Sequence, residues 1–161
     1  MREWLVGGAV LEGPEGLLLV NNRRHDGTTD WSPPGGVIDE GESVVDGLAR
    51  EVLEETGLVV TAWAGMIYEI EAEAPDMGWR LRVEAWRALE WHGELRFDDP
   101  DGIVETALWV PHDDCALHLE GVARWVAEPV TEWIDNRWDD SQLFAYRIDG
   151  HGRNDLRVTR M

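Results

Sequence analysis

Residues 36–58, GVIDEGESVVDGLAREVLEETGL, constrain this chain more than any other stretch. Glu51, Glu54 and Glu55 stand at i, i+3 and i+4, a spacing that places three carboxylates on one side of an α-helix, spread over roughly 100°. Val45, Leu48, Ala49 and Val52 fall on a neighbouring face, which reads as the buried one. The ends of the helix are written locally. Ser43 is placed as N-cap with Asp46 in the capping-box position, and Gly57 offers a left-handed stop, so the spacing predicts a helix over 44–56. Pro33, Pro34, Gly35 and Gly36 ahead of it cannot be helical, and the glycines permit close backbone approach. A packed apolar stripe thus holds a row of carboxylates toward a cleft. Hard divalent cations such as Mg²⁺ take oxygen ligands, and such a row suits them. The plainer alternative is a solvated acidic face. Like-charge pairs at this spacing cost only ~0.2–0.5 kcal/mol each, so energetics alone does not decide between the two.

The complete pattern does. It runs Gly36, five residues, Glu42, seven residues, Arg50, Glu51, an aliphatic Val52, any residue, Glu54, Glu55, any residue, Gly57 and an aliphatic Leu58. Without departure, this resembles the signature of the Nudix hydrolases. The resemblance implies an α/β fold, an α/β/α sandwich around a mixed β-sheet. It also implies cleavage within the pyrophosphate of a nucleoside diphosphate linked to another group. Glu51, Glu54 and Glu55 would hold one or more Mg²⁺ (or Mn²⁺), with the Gly36 carbonyl as a further ligand. The base differs among related enzymes: Glu54 is one candidate, and Glu105, the nearest acidic residue before Trp109, is the other. Glu42 and Arg50 are implied to be structural, their ion pair tying loop to helix, and Gly57 belongs to the same frame.

The loop from Trp31 to Gly36 is similar to that of triphosphate-cleaving MutT-like members, including those acting on oxidised purine nucleotides. A (d)NTP or an oxidised purine nucleotide is therefore the expected substrate. ADP-ribose, another dinucleotide or a nucleotide sugar is the rival. Pro75 lies near where ADP-ribose hydrolases carry a proline, but its neighbours do not resemble theirs. The alternative from another class is a Nudix-like binding or regulatory domain. Such domains typically lose catalytic glutamates, and this chain keeps them all.

Composition narrows the partners. A formal charge of −19, from 33 acids against 14 bases that are all arginine, repels nucleic acid polymers and anionic membranes. It also repels a small polyphosphate unless cations reverse the field locally. The absence of lysine excludes a P-loop lysine and a Schiff-base lysine. Cys115 alone allows no internal disulfide and reads as a small buried thiol. No apolar run approaches the ~18 residues of a membrane span, and no signal peptide is visible, so a soluble cytoplasmic protein is expected.

At 161 residues, one domain is expected over 1–161. Residues 5–10 and 17–20 read as a β-hairpin around a Gly-Pro turn. Residues 21–30 are polar and deliver Arg23, Arg24 and Trp31 ahead of the glycine loop. Either arginine could clamp phosphate, and Trp31 could stack on a base or plug the edge of the core. Residues 58–64, 66–73 and 79–91 read as strands, the last with Leu81, Val83, Ala85, Arg87 and Leu89 on one face. The acidic stretch 97–102 fails the EF-hand register and reads as a surface turn, before a closing strand over 103–111. Asp113 or Asp114 would cap a helix over 115–127, which Pro129 breaks or restarts. Residues 142–160 form a C-terminal β-hairpin beyond the usual core, expected to cover a domain edge or to pair with a second subunit as a homodimer. Ten tryptophans exceed what a nucleotide site needs, so most belong to core or interface.

Overall fold

Alternation along the first strand, β1 (Arg2–Val10), divides the protein into two apolar cores. Val10 packs into one, with Ile70, Ala85, Val130, Trp133 and Phe144. Its neighbours Ala9 and Leu11 pack into the other, with Leu18, Leu48, Val52 and Ala88. The computed structural model describes residues 1–96, 104–152 and 154–161, and only the backbone of Val104 and Glu105. The acidic turn expected over 97–102 lies outside the described residues.

After β1 come β2 (Glu12–Gly13), β3 (Gly16–Arg23), β4 (Thr29–Ser32) and β5 (Gly35–Val37). The helix α1 (Val44–Thr56) follows, then β6 (Val59–Ala74), β7 (Trp79–His92) and β8 (Val104–Val110). A 3-10 turn (His112–Asp114), α2 (Cys115–His118), α3 (Arg124–Asn136), β9 (Gln142–Asp149) and β10 (Arg157–Arg160) complete the chain. Six strands form one sheet in the order β10-β9-β6-β7-β1-β5, while β3 pairs with β2, β4 and β8 in a second. The large sheet is mixed: β1 runs parallel to β7, and β6 parallel to β9. Because α1 packs on the Ala9–Leu11 face and α3 on the Val10 face, the sheet lies between helices, as the resemblance implies.

The helix α1 obeys its local signals. Ser43 accepts from the Asp46 amide at 3.2 Å, and Gly57 at φ 83° returns its own N–H to the Leu53 carbonyl. Leu48 and Val52 are fully buried. The β7 reading also holds. Leu81, Val83 and Ala85 face the α3 core, Arg87 continues the row over the Trp133 ring, and Leu89 runs out into solvent at 60% exposure.

Two expectations are corrected. Strands β1 and β3 are not partners in a hairpin; they belong to different sheets, and only the two-residue β2 turns back on β3. The reason lies in β3, where Leu17 and Leu19 enter one core while Leu18 and Val20 enter the other. A strand apolar on both faces needs cover on both sides, which a half-exposed hairpin would not supply. Nor does one helix run over 115–127. It stops after four residues, Gly121 turns the chain at φ 79°, and α3 runs through Pro129. Pro129 is buried, so its packing offsets the lost hydrogen bond. Neither Asp113 nor Asp114 makes a capping hydrogen bond, and Leu117 is 69% exposed.

The C-terminal hairpin extends the large sheet. Strand β9 lies along β6 from Tyr68↔Gln142 to Glu73↔Arg147 and sends Phe144, Tyr146 and Ile148 into the core. Asp155 ties the turn by accepting from the amides of His151 and Gly152, bonds that hold its carboxyl below the usual range. Cys115 is buried as expected. Burial, and then the neighbouring Asp114 charge, push its thiol up to about 11.

Candidate metal and active site

Strand β5 carries the glycine loop against β1, Gly35 opposite Gly8 and Gly36 opposite Gly7. The contact leaves no room for side chains. A Cβ on Gly35 would lie 2.0 Å from the Gly7 carbonyl oxygen, and one on Gly36 would lie 2.6 Å from the carboxyl carbon of Glu51. Glycine at 36 therefore lets the Glu51 carboxylate close on the backbone. Glu55, 9% exposed, accepts from the Gly35 amide through Oε1 at 2.8 Å. One helical glutamate thus fixes the loop, and the next turn back presses on it.

Arg50 organises the rest. Its Nε donates to Glu42 Oε2 at 3.0 Å and its Nη2 to Oε1 at 2.9 Å, a bidentate fork. Its Nη1 donates to Glu51 Oε1 at 3.1 Å and Glu54 Oε2 at 3.5 Å, and Asp39 lies 3.3 Å from Nη2. The fork, with a further hydrogen bond from the Asp39 amide, holds the Glu42 carboxyl down at about 2. The same partners push the Arg50 guanidinium above its ordinary value, Glu42 most of all. Glu42 thereby restrains the arginine that orients Glu51 and Glu54.

Gly36, Glu51, Glu54 and Glu55 are brought together at the junction of β5 and α1. Among the described residues, no three acidic, histidine or cysteine side chains converge on one point as a preformed cage. Mg²⁺ does not require one, since it keeps several waters and binds through one or two carboxylates together with substrate phosphates. The donor set fits such an ion: carboxylates on one helix face and a backbone carbonyl strand beside them.

The substrate-binding candidates fare differently. Arg24 is committed to Asp30 through Nε at 2.7 Å and through Nη2, and the pair is exposed. Arg23 ends β3 at the surface opposite Thr29. Trp31 meets the His118 ring edge-on at 5.3 Å and packs on the core, so it plugs the edge. Instead, a cleft of about 260 Å³ beside Gly35 and Gly36 is walled by Asn22, Ser32, Tyr68 and Trp125. Asn22 donates to Ser32 Oγ at 2.9 Å across it. Sequence reasoning passed over these residues. The polar pair Asn21-Asn22 inside an apolar strand was the available signal; nothing local marks Trp125 among ten tryptophans. The Glu105 side chain lies outside the described residues.

The family model of the NUDIX domain matches residues 2–134. The chain belongs to the Nudix family. Among curated relatives it is similar to nucleoside diphosphate-linked moiety X motif 6 of Xenopus laevis, 45% identical over 53 residues, 33% of this chain and 24% of that one. It is also similar to an oxidized purine nucleoside triphosphate hydrolase of Mus musculus, 45% identical over 47 residues, 29% and 30% of the two chains. A third is an RNA pyrophosphohydrolase of Mesorhizobium japonicum, 34% identical over 116 residues, 60% and 66% of the two. The chain thus spans less than two thirds of these relatives' own lengths. Among solved structures, the E. coli ORF135 protein superposes with a TM-score of 0.70 at 21% identity, covering 87% and 96% of the two chains. The mutator MutT protein of Bacillus halodurans does so at 0.68 and 19%, covering 96% and 97%. At such identities these likenesses establish the Nudix fold.

Proposed function

We propose that this Nudix domain is a divalent-metal-dependent pyrophosphohydrolase of small nucleotides, with a (d)NTP or an oxidised purine nucleotide as substrate. The observation that carries the reading is the joined arrangement of Glu42, Arg50, Glu51 and Glu54 with the Glu55–Gly35 bond. A binding module would need the fold but not this orientation of carboxylates.

A phosphoanhydride carries negative charge that repels an attacking water, more so on a chain of formal charge −19. A divalent cation bound at Glu51, Glu54, Glu55 and the Gly36 carbonyl would neutralise that charge and acidify water. The residues themselves supply the positioning. Arg50 holds Glu51 and Glu54 in register, and Glu55 fixes the glycine strand along which the phosphates lie. Glu54 or Glu105 orients the water. The cleft by Asn22 and Trp125 offers a polar edge and an aromatic wall to a base, and Arg23, at the exposed end of β3, is the arginine assigned to the phosphates. The similarity to the mouse oxidized purine nucleoside triphosphate hydrolase supports the triphosphate reading. The net acidity argues for a free nucleotide rather than an RNA end.

The test is product analysis by chromatography over NTPs, dNTPs, oxidised guanine nucleotides, ADP-ribose, NADH, nucleotide sugars and diadenosine polyphosphates, with and without Mg²⁺. Metal-dependent turnover of a triphosphate is expected. Folded, Mg²⁺-binding protein that cleaves none of them would overturn the reading.

A further inference from the structure

Away from the α1 carboxylates, a second knot of charge surrounds Glu12. Arg137 donates to both its oxygens, at 2.9 and 2.6 Å, Arg87 donates through Nε at 3.2 Å, and His112 Nε2 lies 2.6 Å away. The charge ratio is unlike that of the other ion-pair clusters among the described residues. Arg50 faces four carboxylates, Arg80 and Arg82 together face Glu3, Glu69, Glu73 and Glu84, and Arg124 and Arg160 share Glu128 and Glu132. At Glu12 two arginines share one carboxylate.

Arg137, which ends α3, is the one described non-glycine residue with positive φ, at 50°, a conformation that costs about 1 kcal/mol. Its guanidinium lies 4.3 Å above the Trp133 ring. Burial pushes the Glu12 carboxyl up, but the hydrogen bonds from Arg137 and His112 and the charges of Arg137 and Arg87 outweigh it and lower the net value. Glu12 therefore stays ionised, and one arginine charge is still left over.

Arg87 carries the surplus. Only its Nε is spent, and its terminal amines have no partner among the described residues. It lines a cleft of about 460 Å³ together with Gly65, Met66, Arg137, Trp138 and Asp139. Arg87 and Arg137 are each 43% exposed. The Trp138 indole N–H is bound to the Ile67 carbonyl at 2.5 Å, so that ring gives an apolar wall and no donor. Asp139 is the acidic group on the wall, which limits the site to a small anion rather than a polyanion. The cleft shares no lining residue with the glycine loop. It opens on the same α3 face as the base cleft, whereas the α1 carboxylates lie across the sheet from it, since Arg87 sits over Trp133 of α3.

We propose that this cleft is a second, non-catalytic anion site taking a tetrahedral oxyanion, inorganic phosphate or the phosphate of a monoester, on the terminal amines of Arg87 beside Arg137. A guanidinium fork matches two phosphate oxygens and remains charged at every working pH. Inorganic phosphate titrated into ¹⁵N-labelled protein at constant ionic strength, with chloride as reference, tests it. Saturable shifts are expected at Arg87 Nε and at the Gly65 and Met66 amides. They should weaken tenfold or more in Arg87→Gln and persist in Glu54→Gln and in the exposed control Arg124→Gln. If Arg87→Gln melts early, Arg87→Lys keeps the charge without the fork, and it too should bind phosphate more weakly. A nucleoside 5′-monophosphate separates the two sources: equal affinity assigns the site to phosphate alone, tighter binding to a monoester. Shifts that never saturate, or that are unchanged in both Arg87 variants, would overturn the proposal.

Discussion

Arg50 and Glu42 meet as a two-pronged ion pair, Nε to Oε2 at 3.0 Å and Nη2 to Oε1 at 2.9 Å, across the turn that starts α1. Since the carboxyl is held down at about 2 from an ordinary value near 4.5, the ionised form is favoured by folding. The stabilisation is complete above about pH 4.5 and is lost as pH falls through about 2. Glu42→Gln should lower the melting temperature at neutral pH. The gap between wild type and variant should narrow steadily as pH falls from 4.5 toward 2. Turnover should fall as well, because Arg50 no longer holds Glu51 and Glu54. Calorimetric melts across that range check this, and a gap independent of pH would count against the pair.

Gly35 and Gly36 should respond differently to alanine. At Gly35 the added Cβ meets backbone 2.0 Å away, which cannot yield, so Gly35→Ala should cost about 3 kcal/mol or more. At Gly36 the obstacle is the Glu51 carboxylate, which can swing aside. Gly36→Ala should keep most of the stability and lose most of the turnover. Denaturant melts paired with steady-state rates separate the two cases.

What was legible in the sequence follows how local each cause is. The cap, stop and apolar stripe of α1 lie within fifteen residues; the cap and the stop are found where they were read, and of the stripe Leu48 and Val52 are buried while Val45 and Ala49 are half-buried. The mixed sheet between helices came from the family pattern; the alternation of β7 separated its two faces, and only the fold shows that the Leu81, Val83 and Ala85 face is the buried one. The partner of β3 was not legible, since burial on both faces says how much cover a strand needs but not which sheet gives it. Trp31 and Trp125 are alike in sequence, and only the fold turns one onto His118 and the other into the cleft. Arg137 is hidden for the same reason: its partner Glu12 lies 125 residues away.

Glu54 and Glu55 divide the tasks of one helix face, and their variants should show it. Glu54 is 36% exposed and, among the described residues, bonded only to Arg50, so Glu54→Gln should leave the melting temperature nearly unchanged while removing most metal-dependent turnover. Gln at 55 can still accept from the Gly35 amide, whereas Ala cannot. Glu55→Gln should therefore lose activity with little loss of stability. Glu55→Ala should also destabilise, by about 1–3 kcal/mol, through the unpaired amide. Full activity in both glutamine variants would remove the metal site proposed here.

The C-terminal hairpin makes the strongest structural prediction. Phe144, Tyr146 and Ile148 are 3%, 2% and 0% exposed, and each buried side chain of this size contributes about 1.5–3 kcal/mol. Together that is roughly 5–9 kcal/mol, comparable to the whole stability of an ordinary domain. Tyr146 also donates its hydroxyl to Glu128 of α3 at 2.9 Å, so the loss would loosen the helix that walls the base cleft. Ending the chain at Ser141 would further bare the β6 edge, a row of backbone groups ready to pair with another chain. The truncated protein should aggregate or lose cooperative melting. The single change Ile148→Ala should instead cost about 2–5 kcal/mol and leave a folded protein. A soluble, cooperatively folded truncation would show that β9 decorates the sheet rather than completing it.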